Sequence, residues 1–130
     1  MSQTHRSVLE KVYEAFNAGD VAALDQLFHD DAVMSIPGET QISGVYHGKT
    51  EIFGAFARMA ELTGGTSRAV VQRMAVDEDG GVVIAVDEAT RFGEQVRAEF
   101  ADVFTVRGSA VSELRFFPAD PAEMAHFWRD

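Results

Sequence analysis

The chain has no cysteine, only three prolines and one tryptophan, and 11 Lys and Arg against 21 Asp and Glu in 130 residues. Without cysteine there is no disulfide framework, no thiolate nucleophile and no Cys-built metal site. The shortage of basic residues leaves a formal net charge of -10. That excludes a nucleic-acid surface, which needs clustered Lys and Arg, and gives no attraction to an anionic membrane. No apolar run approaches the roughly 18 residues of a membrane span. The opening MSQTHRSVLEK lacks the apolar core of a signal peptide, so a soluble, cytoplasmic protein is expected. The histidines at 5, 29, 47 and 126 show no metal-ligand spacing, and no glycine-rich phosphate loop is present. Neither metal nor cofactor is expected.

What is present is ordinary globular composition, 46% hydrophobic and 25% charged, in a chain long enough to bury a core. No repeat or linker interrupts it, so residues 1–130 read as one domain. Val8, Val12 and Phe16 recur at four-residue spacing with Leu9 and Tyr13 beside them, which predicts a helix. Residues 1–5 are polar and expected to fray. Ala18-Gly19 stops the helix, and Asp20 caps a second one that carries Val21, Leu24, Leu27 and Phe28 and ends near His29-Asp30. Asp31 to Ile36 reads as a strand closed by Pro37-Gly38, and Thr40 to Tyr46 as another ending at Gly48. Ile52, Phe53, Phe56, Met59 and Ala60 mark a third helix, which stops at Thr63-Gly64-Gly65.

The rhythm then changes to period two. Arg68 to Val76, Val82 to Phe92, Gln95 to Val106 and Val111 to Phe117 read as strands, with Asp79-Gly80-Gly81, Gly93-Glu94 and Arg107-Gly108-Ser109 as turns. Asp120-Pro121 opens a short final helix through Phe127-Trp128. Helices first and antiparallel strands afterwards imply an α+β fold with the sheet curled around the helices. Several strands are apolar on both faces: Val82, Ile84 and Val86 alternate with Val83 and Ala85. A homodimer through the sheet would cover the second face; the alternative is that these residues are additional core.

Phe16-Asn17-Ala18-Gly19-Asp20, followed by Leu27-Phe28-His29-Asp30-Asp31-Ala32-Val33 and Pro37-Gly38, resembles the opening of the SnoaL-like branch of the ketosteroid isomerase/NTF2-like superfamily. Ser43 to Ile52 resembles its second signature. The resemblance covers nearly the whole chain. It implies an NTF2-like cone, with three N-terminal helices on a strongly curved, mostly antiparallel sheet and a short C-terminal helix, and dimers through the sheet. It specifies the fold well and the function poorly.

Asp102 is the first candidate for chemistry, because alternation in Phe100-Ala101-Asp102-Val103-Phe104 puts it on the face of the two aromatics. A carboxyl there must be paired or neutral. The resemblance places it where the steroid isomerases hold a protonated Asp, a case long worked out for that enzyme. The plain alternative is a structural Asp paired with an Arg. Asp87 is second: a Gly93-Glu94 turn would set Asp87 opposite Phe100 and Ala85 opposite Asp102, making the two acids diagonal neighbours about 7–8 Å apart. Arg115 is third. A four-residue loop would lay it opposite Asp102, whereas the other register turns Leu114 and Phe116 inward and leaves Arg115 in solvent.

Val12, Tyr13, Phe16, Ile36 and Tyr46 are candidates for lining a pocket from the first half of the chain. Phe53, Phe56, Phe100, Phe104, Phe117 and Trp128 are candidates from the rest, with Met74 as a further one; plain core packing is the alternative for all of them. Aligned on Asn17 to Asp20, Val12 stands where the isomerases have a catalytic Tyr, with Tyr13 on a different helical face, and Ile36 stands at their general base. Phe100 replaces the Arg of the epoxide hydrolase relatives. Steroid isomerisation is therefore excluded, and hydrolase chemistry is disfavoured.

The expected function is binding of a small hydrophobic molecule bearing a carbonyl or hydroxyl, with cofactor-free isomerase, cyclase or dehydratase chemistry if the protein is an enzyme. The competing expectation is a non-catalytic dimerisation or ligand-binding module. A pocket of about 300 Å³ or more favours the first.

Overall fold

A computed structural model describes residues 2–130, with side chains from Thr4 onward. Helix α1 (Ser2–Ala18) buries Val8, Leu9, Val12, Tyr13 and Ala15. It includes residues 2–5 of the segment expected to fray, Met1 lying outside the described residues: His5 is buried, with Nδ1 2.8 Å from the carbonyl of Asp77. The helix closes as the Ala18-Gly19 signal requires. Gly19 takes φ 67°, and the amides of Gly19 and Asp20 bond back to the carbonyls of Phe16 and Ala15, a double C-terminal cap that needs a residue free of Cβ strain. The Asp20 carboxylate accepts the amide of Ala23 at 3.0 Å and starts α2 (Val21–Leu27).

α2 is shorter than expected. Phe28 already belongs to strand β1 (Phe28–Ile36), where it pairs with Val111, and Val21 faces water. The strand expected from Thr40 shrinks to β2 (Gly44–His47), because Thr40 and Ser43 bond each other through their hydroxyls and hold residues 40–43 in a turn. Helix α3 (Gly48–Leu62) buries Ile52, Ala55 and Met59, with Phe53 and Phe56 half-buried and Ala60 exposed. The long strands follow as read: β3 (Arg68–Val76), β4 (Gly80–Arg91), β5 (Glu94–Arg107) and β6 (Ala110–Pro118). Asp120 caps α4 (Pro121–Phe127).

The six strands form one curved sheet in the order β2-β1-β6-β5-β4-β3, antiparallel except where β1 lies parallel to β6. α1 rests on β3 and β4, α3 on β1 and α4 on β5. The core lies between these helices and the inner face of the sheet.

Two hairpins decide what faces that core. The β4–β5 turn is Phe92-Gly93, both at positive φ (54° and 74°), with Arg91 opposite Glu94. This is the two-residue geometry whose twist suits a hairpin. Phe92 tolerates it with the guanidinium groups of Arg91 and Arg129 4.8 and 4.9 Å from its ring centre. The turn sits one residue earlier than the sequence suggested, so the pairing slides by two: Asp87 faces Ala98 and Val83 faces Asp102. A slide of two keeps every side chain on its face, but it ends the expected diagonal contact of the two acids.

At the β5–β6 turn Val106 pairs with Val111, while beyond it Thr105 pairs with Glu113. Ser112 is the extra residue of a bulge. One inserted residue turns the following stretch over, so Phe116, not Arg115, lies opposite Asp102.

Two glycines on β4 and in the β5–β6 turn separate close approach from backbone freedom. A Cβ on Gly80 (φ 152°) would stand 2.1 Å from the carbonyl oxygen of Phe104, while one on Gly108 (φ 68°) meets open space. Gly80→Ala is expected to cost at least about 2 kcal/mol and Gly108→Ala roughly 1 kcal/mol, measured by urea denaturation. Equal losses would contradict the close contact of β4 with β5.

Candidate functional site

The site begins with two side chains 89 residues apart. Tyr13 projects from the inner face of α1 and donates its hydroxyl to Oδ2 of Asp102 on β5. Phe104 meets the Tyr13 ring edge-on, with centroids 5.9 Å apart. Asp102 is 3% exposed, and its other oxygen, Oδ1, is buried without a hydrogen-bond partner among the described residues. Burial lifts this carboxyl from the usual 3.8 to about 7, with the Tyr13 bond pulling the other way. The Tyr13 phenol is pushed well above its ordinary range by burial and then by the charge of Asp102. Tyr13 is therefore the donor of the pair at any moderate pH.

Asp87, half-buried on β4, borders the same space. The protein packed around its carboxyl withdraws it from water, and the charge of Asp102 adds to that, so its pKa is also raised well above the carboxylate range. Four residues of strand separate Asp87 from the position opposite Asp102, about 13 Å along an extended chain. The two acids act on each other through the hollow and not as cross-strand neighbours.

The hollow measures about 50 Å³. Val12, Tyr13 and Phe16 line it from α1, Phe56 and Met59 from α3, and Met124 and Trp128 from the C-terminal end. The sheet contributes Ala69, Phe100, Phe104, Leu114 and Phe116 besides the acids, and Ile36 and Ile42 complete the wall. The two carboxyls and the phenol are the polar groups of an otherwise apolar lining. Together they can give a proton to a carbonyl oxygen or take one from a hydroxyl, and no lining residue is cationic.

Of the residues expected to line a pocket, Val12, Tyr13, Phe16, Ile36, Phe56, Phe100, Phe104 and Trp128 border the hollow. Tyr46 does not: its hydroxyl donates to the carbonyl of Ile42 at 2.6 Å and ties down the turn before β2. Phe53 borders a second cavity, between the α1–α2 corner and α3. Phe117 is 42% exposed on the outer face, and Arg115 is exposed there with its guanidinium 5.0 Å from the Phe117 ring. The Ser112 bulge is the reason in both cases. Met74 is half-buried away from the hollow, and His47 is exposed.

Tyr13 calls for a correction. The hollow spans enough of α1 for the consecutive Val12 and Tyr13 both to reach it, so the cavity does contain a phenol. Ile36 keeps the position of the isomerase base apolar. Ile42, Met59, Ala69, Leu114, Phe116 and Met124 were not singled out as lining residues. Leu114 and Phe116 belong to the register left open on the sequence, while Ile42 sits in a turn that no periodicity reveals. Among the described residues no group of three or more His, Asp or Glu converges as a metal site would, and no helix is long and apolar enough to cross a membrane.

Residues 9–114 match the family of SnoaL-like domains. An uncharacterised protein of Mycobacterium tuberculosis is 29% identical over 122 residues, 93% of each chain. Among solved structures, Bal32a from a soil-derived mobile gene cassette superposes with a TM-score of 0.94 at 30% identity, covering 98% of each chain. IdmH from Streptomyces antibioticus, described as a candidate polyketide cyclase, superposes with a TM-score of 0.80 at 20% identity, covering 95% of this chain and 97% of its own; at that identity the likeness is one of fold.

A carboxyl whose pKa is higher folded than unfolded binds its proton more tightly in the folded state. Its contribution is complete below about pH 4 and is lost as the pH rises through about 7. Stability should therefore fall across that window by roughly 2–4 kcal/mol, with Asp87 adding in the same direction. Urea denaturation should find Asp102→Asn flatter with pH and more stable than wild type at pH 8. Wild-type stability that rises over this window would contradict the buried, partly unsatisfied carboxyl.

Proposed function

Since the chain belongs to the family of SnoaL-like domains, we propose that it binds a small hydrophobic molecule bearing a carbonyl or hydroxyl group beside Asp102. The chemistry to be looked for there is cofactor-free acid–base catalysis of the isomerase, cyclase or dehydratase type. One observation carries this reading: Oδ1 of Asp102 is buried on an apolar hollow with no hydrogen-bond partner among the described residues. Such an atom costs about 1–3 kcal/mol while it stays unpaired, and a ligand oxygen would satisfy it. A carboxyl with its pKa near 7 is present in both forms at neutral pH, able to donate to a carbonyl when protonated and to accept from a hydroxyl when ionised. Tyr13 orients it, and Asp87 is the second acid available for the opposite proton-transfer role. The description of IdmH as a candidate polyketide cyclase is in keeping with this class of reaction. Steroid isomerisation is not proposed, because Ile36 leaves that chemistry without its base.

The size of the hollow favours a second reading. At about 50 Å³ it is smaller than the roughly 300 Å³ of typical small-molecule sites, as in a non-catalytic dimerisation or ligand-binding module whose cavity is filled by its own side chains. Calorimetric titration with 2-naphthol, an apolar molecule with one hydroxyl, separates the two. Wild type should bind it, Asp102→Leu should weaken binding at least about tenfold, and circular dichroism should show the fold unchanged. No binding by wild type, or equal binding by both proteins, would leave the module.

The outer face of the sheet supports a homodimer as part of the same proposal. Val82 lies opposite Val103, Ile84 opposite Ala101, and Ala101 opposite Phe117. These residues make a continuous apolar patch on the side away from the helices, and a second copy of the chain would cover it. Light scattering at micromolar concentration should give twice the chain mass. A monomer there would remove the dimer from the proposal.

A further inference from the structure

A second cavity of about 350 Å³ lies outside the first, between the α1–α2 corner and α3. Asn17, Gly19, Val21 and Leu24 form one side, and Phe53, Ala57 and Ala60 the other. Two residues, Phe16 and Phe56, belong to the linings of both cavities. Their rings meet edge to face with centroids 5.3 Å apart and form the partition between the outer cavity and the hollow at Asp102.

Other walls of the hollow are tied. Arg91, itself buried, donates to the carbonyl of Phe127 at 2.5 Å and to that of Leu62 at 3.1 Å, joining the ends of α4 and α3. Glu123 accepts the amide of Glu99 at 2.9 Å and fastens the start of α4 to β5. Where β4, β5 and β6 line the hollow, their pairing is unbroken, the Ser112 bulge lying beyond it. Phe16 and Phe56, by contrast, are half-buried, border a cavity on each side and carry no side-chain hydrogen-bonding group; Phe56 is held by ring contacts alone, edge-on to Phe28 and stacked on Phe53, with centroids 6.2 Å away in both cases. A side-chain rotation there would give up ring contacts but no hydrogen bond, unlike movement of the tied walls.

We infer that Phe16 and Phe56 form a movable gate, and that the outer cavity is a subsite for the apolar body of a ligand whose oxygen reaches Asp102. This rests on the proposed binding role of Asp102 and deepens it. The substrate class becomes an elongated hydrophobic molecule with its polar group at one end, longer than the inner hollow can hold. The outer cavity alone lies in the volume range of small-molecule sites, so the narrowness of the inner hollow ceases to count against a ligand.

Trp128 is the only tryptophan of the chain and lines the inner hollow, so its fluorescence reports what passes the gate. Acrylamide quenching should be weak in wild type, rise at least about threefold in Phe56→Ala, and fall below wild type in Ala60→Phe, which fills the outer cavity while leaving the core residues in place. Quenching unchanged in Ala60→Phe would overturn the gate, whether or not Phe56→Ala folds. In calorimetry 4-hexylphenol should bind more tightly than phenol, by up to about fourfold per buried methylene, and Ala60→Phe should abolish the difference. Equal affinity for the two phenols would overturn the subsite. If neither phenol binds, the binding role of Asp102 fails, and quenching still decides the gate by itself.

Discussion

A single carboxyl group, sunk among aromatic side chains and held by one phenol, is the constraint around which this structure is arranged. Tyr13 and Asp102 come from opposite layers of the fold, a helix and the sheet beneath it. Their bond ties α1, which rests on β3 and β4, to β5. The apolar walls that bring the layers together also deny Asp102 the water it would otherwise use, and that raises its pKa. Filling the place with hydrocarbon would give a more conventional core. Retaining an acid there, with half of its hydrogen-bonding capacity unused, is a departure from good packing of the kind found where ligands act.

Asp87 makes the arrangement more than a pair. It is not beside Asp102 on the neighbouring strand, yet the charge of Asp102 raises the cost of ionising Asp87 across the hollow. Two acids facing one apolar space do not ionise with equal ease. The first to lose its proton holds the second in its neutral form, and proton donor and proton acceptor can then coexist at one pH.

Much of this was legible in the sequence, for local reasons. The Ala18-Gly19-Asp20 junction, the Asp120-Pro121 start and the period-two strands depend on nearby residues, and they formed as read. The candidates Asp102 and Asp87 face inward because alternation along a strand survives any even slide in pairing. Arg115 could not be placed, since its facing depends on an extra residue three positions earlier whose effect appears only in the partner strand. Tyr13, a lining candidate from the start, was discounted only as the isomerases' phenol by alignment with a different family branch, whereas the width of the hollow on α1 allows both it and Val12 to reach the interior. The turn residue Ile42 lies in no repeating pattern, and only the path of the chain brings it to the wall.

The Ser112 bulge also bears on how this protein is compared with its kin. Upstream and downstream of that serine, the inside and outside of β6 follow opposite parities of residue number. A relative lacking the inserted residue would show the same hydrophobic rhythm one step out of phase, and a gapless alignment would then equate its interior side chains with this chain's surface ones. Matching such sequences through the final strand calls for a gap at the serine, even where the residue letters agree better without one.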